Sequence, residues 1–221
     1  MNDDSLIVID VDQWDRKSHY EWFNQFANPC FSVGKRMDIT ELLKFCLTNK
    51  LSSFATIMYI ACCVLNSSES FSLRILNDQV VRVNDANASF TSAINETLFK
   101  NCRVKSNLSL FDFCRAVREE GAVLADEVDS KKDFNDIAIV DDIYFSCLPW
   151  LDFEYVIQPI PDMSIENKSI PRVTWGKYSD AGNRKEMTMD LTANHALVDG
   201  KDAAIAFERI QHYFDRPELL V

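Results

Sequence analysis

Apolar residues recur every three or four positions in several stretches of the chain, which is the spacing of an amphipathic helix. Residues 13–26 (QWDRKSHYEWFNQF) place four aromatic residues at this spacing: Tyr20, Trp22, Phe23 and Phe26. Residues 54–65 (FATIMYIACCVL) are apolar throughout but too few to span a bilayer, so they predict a buried helix. Two further helices are predicted by the inner-face residues Leu110, Phe113, Val117, Val123 and Leu124, and by Ala203, Phe207, Ile210 and Phe214.

Two of these helices begin with capping signals. Asp38, followed three residues later by Glu41, predicts a capping box before a short helix. Ser53 predicts the N-cap of the long apolar helix. Such side chains accept hydrogen bonds from the backbone N–H groups that the first helical turn leaves without partners.

Alternation between polar and apolar residues marks the strands instead. Residues 72–85 (SLRILNDQVVRVND) alternate on both sides of Asn77 and Asp78, which predicts a β-hairpin turned at that pair. Residues 141–153 (DDIYFSCLPWLDF) predict a buried strand that is broken at Pro149.

A second, longer hairpin is predicted over residues 171–197, with its turn at SDAGN. One face of its second strand is apolar and consists of Met187, Met189, Leu191 and Ala193. Helices and strands interleave unevenly along the chain. The predicted fold class is therefore α+β with a mixed or antiparallel sheet.

The amino-acid composition limits the kinds of partner that the protein is expected to bind. No repeat or Gly/Pro/Ser-rich linker divides the 221 residues, so we expect a single domain over 1–221. The net charge of -11 argues against a nucleic-acid partner, because phosphate contacts need clustered Lys and Arg. No signal peptide or membrane-spanning run is visible, so no membrane partner is expected. The seven cysteines lack the Cys-x-x-Cys spacing of a metal site, which predicts free thiols in a reducing cytoplasm and no metal.

Among the three histidines, His195 lies between the last predicted strand and the last predicted helix, in TANHALVDGKDAAIAF. Gly200 permits a tight turn after Asp199. An imidazole held there with a pKa near neutral can act as a general base. The spacing alone also allows a core histidine bonded to backbone, with Asp199 capping the final helix.

Five segments, in the same order along the chain, resemble the chloramphenicol acetyltransferase family. NHALVDG is similar to the family's His-His-x-x-x-Asp-Gly motif, with Asn194 at the first histidine and His195 at the catalytic second. WDRKSHYEWF, FSVGKRMDIT, SCLPWLDF and TWGKY resemble four further family segments. The resemblance covers nearly the whole chain. It implies a two-layer sandwich in which helices pack on one face of a mixed β-sheet.

The resemblance implies direct transfer of acetyl from acetyl-CoA to a small-molecule hydroxyl, with chloramphenicol as the first acceptor to consider. An alcohol is a poor nucleophile at neutral pH, so a base must take its proton during attack. His195 is implied as that base, Ser146 as the donor to the oxyanion, and Thr174 as a residue that helps to solvate the transition state. Without the family, Ser146 is better explained as a strand serine bonded to a neighbouring carbonyl, and Thr174 is also explained as a β-branched strand residue.

Asp199 matches a family aspartate that pairs with an arginine of the N-terminal segment, here Arg16. This pair is implied to hold the His195 loop in shape without taking part in proton transfer. If both partners are buried, breaking the pair is expected to cost about 3–5 kcal/mol.

The family's ligand contacts match this chain only in part. Lys177 and Tyr178, with Ser146, match positions that contact CoA, whereas Ser53 stands where the family has a basic contact. The implied acceptor pocket consists of Trp22, Phe23, Phe31, Phe99, Val156 and Arg172.

Several pocket positions depart from the family pattern. Ala93 replaces an aromatic residue, Val156 a phenylalanine, Gln158 a leucine and Arg172 an apolar residue. A guanidinium buried in an apolar pocket is costly unless it is paired. These changes indicate a pocket that is more open, more polar or suited to a different alcohol, so the acceptor stays open.

By resemblance the protein is expected to be a homotrimer with active sites at subunit interfaces, where His195 faces a pocket built largely by the neighbour. Two other interpretations stay open. A dihydrolipoyl acyltransferase core shares the fold and a related motif, but lipoyl and subunit-binding segments are expected before it. A non-catalytic relative would bind a ligand or act as an assembled scaffold, for which Ala93, Gln158 and Arg172 are the support.

Overall fold

The computed structural model of the chain describes residues 6–122, 140–160 and 164–221. The strands within these ranges are β1 (Leu6–Val8), β2 (Cys30–Asp38), β3 (Leu73–Leu76), β4 (Gln79–Val83), β5 (Asn87–Ala93), β6 (Phe99–Val104), β7 (Asp142–Leu148), β8 (Arg172–Gly176), β9 (Ser179–Ala181) and β10 (Arg184–Asn194). The helices are α1 (Lys17–Phe23), α2 (Thr40–Asn49), α3 (Ser53–Asn66), α4 (Leu110–Ala122), α5 (Ile165–Ser169) and α6 (Gly200–Asp215).

The strands form a seven-stranded and a three-stranded sheet. The larger sheet has the order β2-β10-β8-β7-β5-β6, with the short β9 beside β10, and the smaller sheet has the order β1-β4-β3. β7 runs parallel to both of its neighbours, β5 and β8, and the other pairs are antiparallel. The predicted α+β class with a mixed sheet is therefore confirmed.

Helices cover the apolar face of the larger sheet. α3 lies in the core and contacts α2, α4, α6 and β5. From the sheet, the alternate residues of β10 (Met187, Met189, Leu191 and Ala193) and the fully buried Trp175 of β8 face the same core. The Trp175 ring lies 5.3 Å from the ring of Phe54 in the first turn of α3. Burial of this continuous apolar surface is what holds the two layers together.

The opposite face of β10 is polar and nevertheless buried. It consists of Thr188, Asp190, Thr192 and Asn194, each at most 5% exposed. The segment that follows β7 crosses this face, because a Cβ atom added at Gly34 would lie 2.9 Å from the backbone oxygen of Glu154. Gly34 is thus required by the close approach of two backbones.

Both predicted hairpins are confirmed. Leu76 pairs with Gln79, and the two residues between them have positive φ angles of 50° for Asn77 and 62° for Asp78. Positive φ at both central positions is the type I′ turn that fits the twist of a hairpin. In the longer hairpin β8 and β9 both pair with β10, and the turn contains Gly182 with φ 68°.

The predicted N-terminal helix is shorter than residues 13–26. α1 spans only Lys17–Phe23, and Val11–Gln13 form a separate 3-10 turn. Trp14 has extended backbone angles, which separates the two segments, and its ring packs 6.0 Å from that of Tyr20.

Both predicted helix starts were wrong by one or two residues. Ser52, not Ser53, caps α3 and accepts a hydrogen bond from the N–H of Ala55. β2 extends through Asp38, whose carboxylate accepts from the N–H of Thr40, and α2 begins at Thr40 without a capping box. Glu41 instead pairs with Lys44 at 2.7 Å.

The remaining predicted elements are confirmed where the structure describes them. β7 ends immediately before Pro149, and α4 and α6 bury the predicted inner faces. Val123 and Leu124 lie outside the described residues. No described helix is by itself long and apolar enough to cross a membrane; α2 and α3 reach that length and composition only together, across a bend of 116°.

Candidate active site

An ion pair between distant parts of the chain holds the loop after β10. The Arg16 guanidinium donates to both carboxylate oxygens of Asp199, with 2.9 Å from Nη2 to Oδ1. It also donates to the backbone oxygens of His195 (2.9 Å) and Ala196 (3.3 Å). These bonds hold the pKa of Asp199 below its usual range. Arg16 and Asp199 are thus joined as the resemblance implied.

The pair is only partly buried, because the side chains of Arg16 and Asp199 are 18% and 40% exposed. The cost of 3–5 kcal/mol expected for a buried pair therefore does not apply, since solvent screens a half-exposed pair. Asp199 also occupies the N-cap position of α6, and its N–H donates to Asp202 at 2.8 Å. Both proposed roles of Asp199, as a partner of Arg16 and as a helix cap, are present together.

His195 lies at the end of β10, with its backbone N–H bonded to the oxygen of Pro29 at 2.9 Å. Its side chain is one-third exposed. Nδ1 is 3.2 Å from Asp199 Oδ1 but forms no hydrogen bond within the described part of the chain. Asp199 therefore acts on His195 through the loop that Arg16 holds.

Asn194, which stands at the family's first histidine, closes the turn that presents His195. Its side-chain oxygen accepts from the N–H of Ala196 at 2.9 Å. Its backbone oxygen accepts from Leu197 and Val198 at 3.0 and 2.9 Å. Asparagine is well suited to this position because its side chain readily bonds to the backbone two residues further on.

Aromatic rings from two other elements pack on the imidazole of His195. Phe23 of α1 stacks nearly parallel to it, with ring centroids 4.0 Å apart and planes 9° apart. Phe31 of β2 lies 4.8 Å away at a tilt of 43°. Trp22, 57% exposed, packs on Phe23 at 4.8 Å. Three of the predicted pocket residues are thus gathered around the predicted base.

The other predicted catalytic residues form a row across the polar face of the sheet. Ser146 on β7 is in register with Thr174 on β8, and Thr174 is in register with Asp190 on β10. Asp190 is in turn in register with Gly34 on β2. Side chains opposite one another on neighbouring strands lie about 5 Å apart, so Thr174 is an immediate neighbour of both Ser146 and Asp190.

The structure separates this row from His195 within one chain. His195 is five positions after Asp190, about 16 Å along the strand, and two strand spacings of about 4.8 Å lie between Asp190 and Ser146. His195 and Ser146 are therefore about 19 Å apart by strand geometry. One copy of the chain does not place the predicted base against the predicted oxyanion donor.

The segment after β7 lies over the Thr174–Asp190 part of the row. The side-chain amide of Gln158 donates to Thr174 Oγ1, and the backbone N–H of Val156 donates to the carboxylate of Asp190. Val156 and Gln158 are half-buried, whereas Thr174 is 1% exposed. Gln158 thus brings an amide to a position where the family has an apolar side chain.

Arg172, the predicted pocket residue beside Thr174, is 3% exposed and both of its terminal nitrogens donate hydrogen bonds within the chain. It donates to the backbone oxygens of Ile170 and Asn167 at 2.8 and 3.0 Å, and its guanidinium lies 5.3 Å from the ring centre of Tyr144. Burial lowers its pKa. These contacts explain how the polar face tolerates a buried guanidinium.

The predicted CoA contacts gather at the C-terminal ends of β7 and β8. Lys177 is exposed, and its N–H bonds to the oxygen of Leu151 at 2.9 Å, which places it beside the segment carrying Trp150. The hydroxyl of Tyr178 lies 3.2 Å from that of Ser53 in the first turn of α3. Burial raises the pKa of Tyr178 to about 12. A cation, an exposed indole and a helix N-terminus suit an anionic, aromatic ligand such as CoA.

Phe99, the remaining predicted pocket residue, lies on the outermost strand of the larger sheet, beyond β5. It is 53% exposed on the edge strand β6, opposite Ala93 of β5. Ala93 also lines a cavity of about 670 Å³ between the start of α3, β5 and α4. The described part of one chain therefore does not bring Phe99 to either His195 or Thr174.

Sequence reasoning did not identify Asp190. It is 1% exposed, its Oδ1 accepts from Thr192 at 3.3 Å, and its Oδ2 is buried with no hydrogen-bond partner among the described residues. Burial raises its pKa to about 6. The signal was present in EMTMDLTAN, where the residues between the apolar ones are all polar, but which polar residues are buried depends on the covering segment.

The family model for chloramphenicol acetyltransferase matches residues 5–211. A chloramphenicol acetyltransferase from Proteus mirabilis is 27% identical over 213 residues, which are 95% of each chain. One from Staphylococcus aureus is 25% identical over 214 residues, 93% of this chain and 97% of that one.

Two solved structures share the fold. A chloramphenicol acetyltransferase superposes with a TM-score of 0.86 at 20% identity, over 95% of this chain and 99% of that one. A dihydrolipoamide acetyltransferase from Azotobacter vinelandii superposes with a TM-score of 0.66 at 14% identity, over 92% and 88%.

Proposed function

The chain belongs to the chloramphenicol acetyltransferase family, and from this premise we propose that it transfers acetyl from acetyl-CoA to the hydroxyl of a small molecule, with chloramphenicol as the first acceptor to test. The observation that carries the proposal is the presentation of His195. The Arg16–Asp199 pair holds its loop, Phe23 stacks on its ring, and one-third of its side chain is open to a ligand.

His195 acts as the general base in this proposal. It takes the proton of the acceptor hydroxyl as the oxygen attacks the thioester carbonyl. Because both oxygens of Asp199 are bonded to Arg16, the aspartate fixes the loop and does not relay the proton. The stacked ring of Phe23 restricts the imidazole to one plane, which reduces the entropy lost on reaching the transition state.

Ser146 donates a hydrogen bond to the carbonyl oxygen as negative charge develops on it. Thr174, its neighbour on β8, adds a second hydroxyl to the same side of the reacting group. Lys177, Tyr178 and the exposed Trp150 support binding of CoA at the nearby ends of β7 and β8. No step of this scheme uses a metal ion.

We propose a homotrimer in which His195 of one subunit meets the Ser146 row of the next. The separation of about 19 Å within one chain is the support for this arrangement, since hydrogen-bond catalysis needs the groups within a few ångströms of one reacting centre. Two apolar side chains are largely exposed in the single chain: Trp150 is 82% exposed and Ile157 is 81% exposed. They supply apolar surface for such an interface.

The decisive experiment is thiol release from acetyl-CoA with chloramphenicol. We expect turnover in the native protein and a loss of at least about 10³-fold in kcat for His195→Ala. A loss of this size is expected because the variant removes both the general base and the group that positions the acceptor hydroxyl. His212→Ala, which removes an exposed histidine on α6, is the matched control and should keep full activity. A correctly folded native protein that releases no thiol with chloramphenicol or with any other alcohol would favour a non-catalytic role.

A further inference from the structure

Asp190 is a buried carboxylate that forms no ion pair with any cationic side chain in the described part of the chain. It is 1% exposed, and its two hydrogen bonds come from the hydroxyl of Thr192 and the N–H of Val156. Oδ2 is buried and forms no hydrogen bond within residues 6–122, 140–160 and 164–221. A buried carboxylate oxygen without a hydrogen-bond partner destabilises the fold. Such an oxygen is retained where a bound ligand supplies the missing donor.

The position of Asp190 relates it to the proposed reaction. It stands two strands from Ser146 on the same face of the sheet, with Thr174 between them, so it is about 10 Å from the group that receives the acetyl carbonyl. A drug-sized acceptor whose hydroxyl lies at the reacting centre spans this distance. Asp190 is therefore placed at the far end of an acceptor bound along the row.

Gln158 is the side chain that stands between such an acceptor and the row. It is half-exposed and its amide bonds to Thr174, next to Asp190. The amide makes this part of the site polar, whereas a leucine of similar size would make it apolar. Gly34, on the other side of Asp190, adds no side chain, and the covering segment takes up the space there, because a Cβ atom at Gly34 would lie 3.9 Å from Oδ2 and 2.9 Å from the backbone oxygen of Glu154.

We propose that the acceptor is an alcohol that also carries a protonated amine, and that Asp190 binds this amine while the hydroxyl is acetylated. The proposal rests on the proposed acetyltransferase function and names its class of acceptor. A cation is favoured over a neutral donor because a charge-assisted hydrogen bond is about twice as strong and compensates for the buried charge. Binding requires the covering segment, with Gln158, to move away from Thr174 and Asp190, so this segment controls access to the carboxylate.

Two acceptors that differ only in an amine at the end away from the hydroxyl provide the test: 6-aminohexan-1-ol and hexan-1-ol. Thiol release gives kcat/KM for each, and mass spectrometry of the product separates acetylation at oxygen from acetylation at nitrogen. We expect the native trimer to prefer the amino alcohol by about tenfold or more, the size of one charge-assisted hydrogen bond. In Asp190→Asn the ratio of the two kcat/KM values should fall to about one, as expected when the charge is removed.

A second variant and a control distinguish a loss of amine binding from misfolding. Gln158→Leu leaves Asp190 in place but puts an apolar group beside the amine, so the same ratio should fall. Thr188→Val makes a comparable polar-to-apolar change on the same face of β10, away from Thr174, and should leave the ratio unchanged. Thermal unfolding of each variant identifies any that does not fold.

The outcomes separate the acceptor class from the proposed function. If both alcohols are acetylated but the native protein does not prefer the amine, the acceptor class is wrong and the acetyltransferase stands. If neither is acetylated, calorimetric binding of the two alcohols decides instead: a preference for the amine that Asp190→Asn abolishes supports the proposal, and equal binding overturns it. A preference unaffected by Asp190→Asn would also overturn it, as expected if a neighbouring subunit neutralises this carboxylate.

Discussion

The imidazole of His195 lies parallel to the phenyl ring of Phe23, with ring centroids 4.0 Å apart and planes 9° apart. The two residues belong to opposite ends of the chain, and the stack fixes the orientation of the predicted base. It forms because Arg16, one residue before α1, bonds to the loop that carries His195.

Removal of this stack should slow the reaction without removing the base. We expect Phe23→Ala to reduce kcat/KM by up to about tenfold, because an aromatic pair contributes roughly 0.5–1.5 kcal/mol beyond its buried area. Phe26→Ala is the control, since Phe26 packs on Trp22 and Phe23 but has no ring contact with His195. Equal kinetic losses in the two variants would show that the stack has no specific role.

The Arg16–Asp199 pair should stabilise the protein by a moderate amount. We expect Arg16→Ala to reduce the free energy of unfolding by about 1–3 kcal/mol, because it removes several charge-assisted hydrogen bonds from a site that solvent partly screens. Urea unfolding measures this change. Arg36→Ala breaks a more exposed arginine–aspartate pair, that of Arg36 with Asp152, and should cost about 1 kcal/mol or less.

A double-mutant cycle assigns the effect to the pair. If Arg16 acts mainly through Asp199, the double variant Arg16→Ala/Asp199→Ala should be little less stable than Arg16→Ala alone. Strictly additive losses would contradict the coupling.

Mixed trimers should restore activity from two inactive variants. In this test, His195→Ala and Ser146→Ala chains are refolded together at equal concentration. If His195 of one subunit works with Ser146 of the next, random assembly around a ring leaves both residues intact at about one quarter of the interfaces. Thiol release of the mixture should then approach that fraction of native activity. No recovery from mixed trimers, verified by light scattering and by two distinguishable tags, would mean that each site is formed within one chain.

Stability should depend on pH through Asp190. Burial raises its pKa to about 6, against an ordinary value of 3.8. Between these values the folded state binds a proton that the unfolded chain has lost, so the contribution of Asp190 to stability falls as the pH rises from about 4 to above 6. Asp190→Asn, which does not titrate, should become more stable relative to the native protein over this interval, by roughly 1–3 kcal/mol.

Urea unfolding of both proteins at several pH values measures the difference. Asp142, whose pKa is also raised to about 6 by burial, is present in both proteins and cancels from the comparison. A difference in unfolding free energy that does not change between pH 4 and pH 7 would contradict the proposed titration.

The β3–β4 hairpin offers a test of the fold that is independent of the active site. Asp78 has φ 62°, a region in which glycine has no steric cost. Asp78→Gly should therefore be neutral or raise the free energy of unfolding by up to about 1 kcal/mol, whereas Asp78→Val should lower it by more than that. Stabilisation by valine would exclude the type I′ turn.

The sequence by itself determined those elements in which local chemistry and hydrophobic pattern agree. The Asn77–Asp78 turn, the apolar helix α3 and the alternating face of β10 were all predicted, because turn preference and periodicity act over a few residues. Helix starts were misplaced by one or two residues, since Ser52 and Ser53 are equally able to cap and only packing selects between them.

Which distant residues meet was decided by the tertiary structure. The family resemblance named Arg16, Asp199 and His195, but only the fold shows the pair to be half-exposed and the imidazole stacked on Phe23. The buried state of Asp190 likewise depends on the segment carrying Gln158, which crosses the sheet and brings an irregular part of the chain onto a strand that is distant in sequence. Periodicity assigns a residue to a face of its own strand, whereas burial, pairing and the pKa values that follow from them arise from what packs against that face.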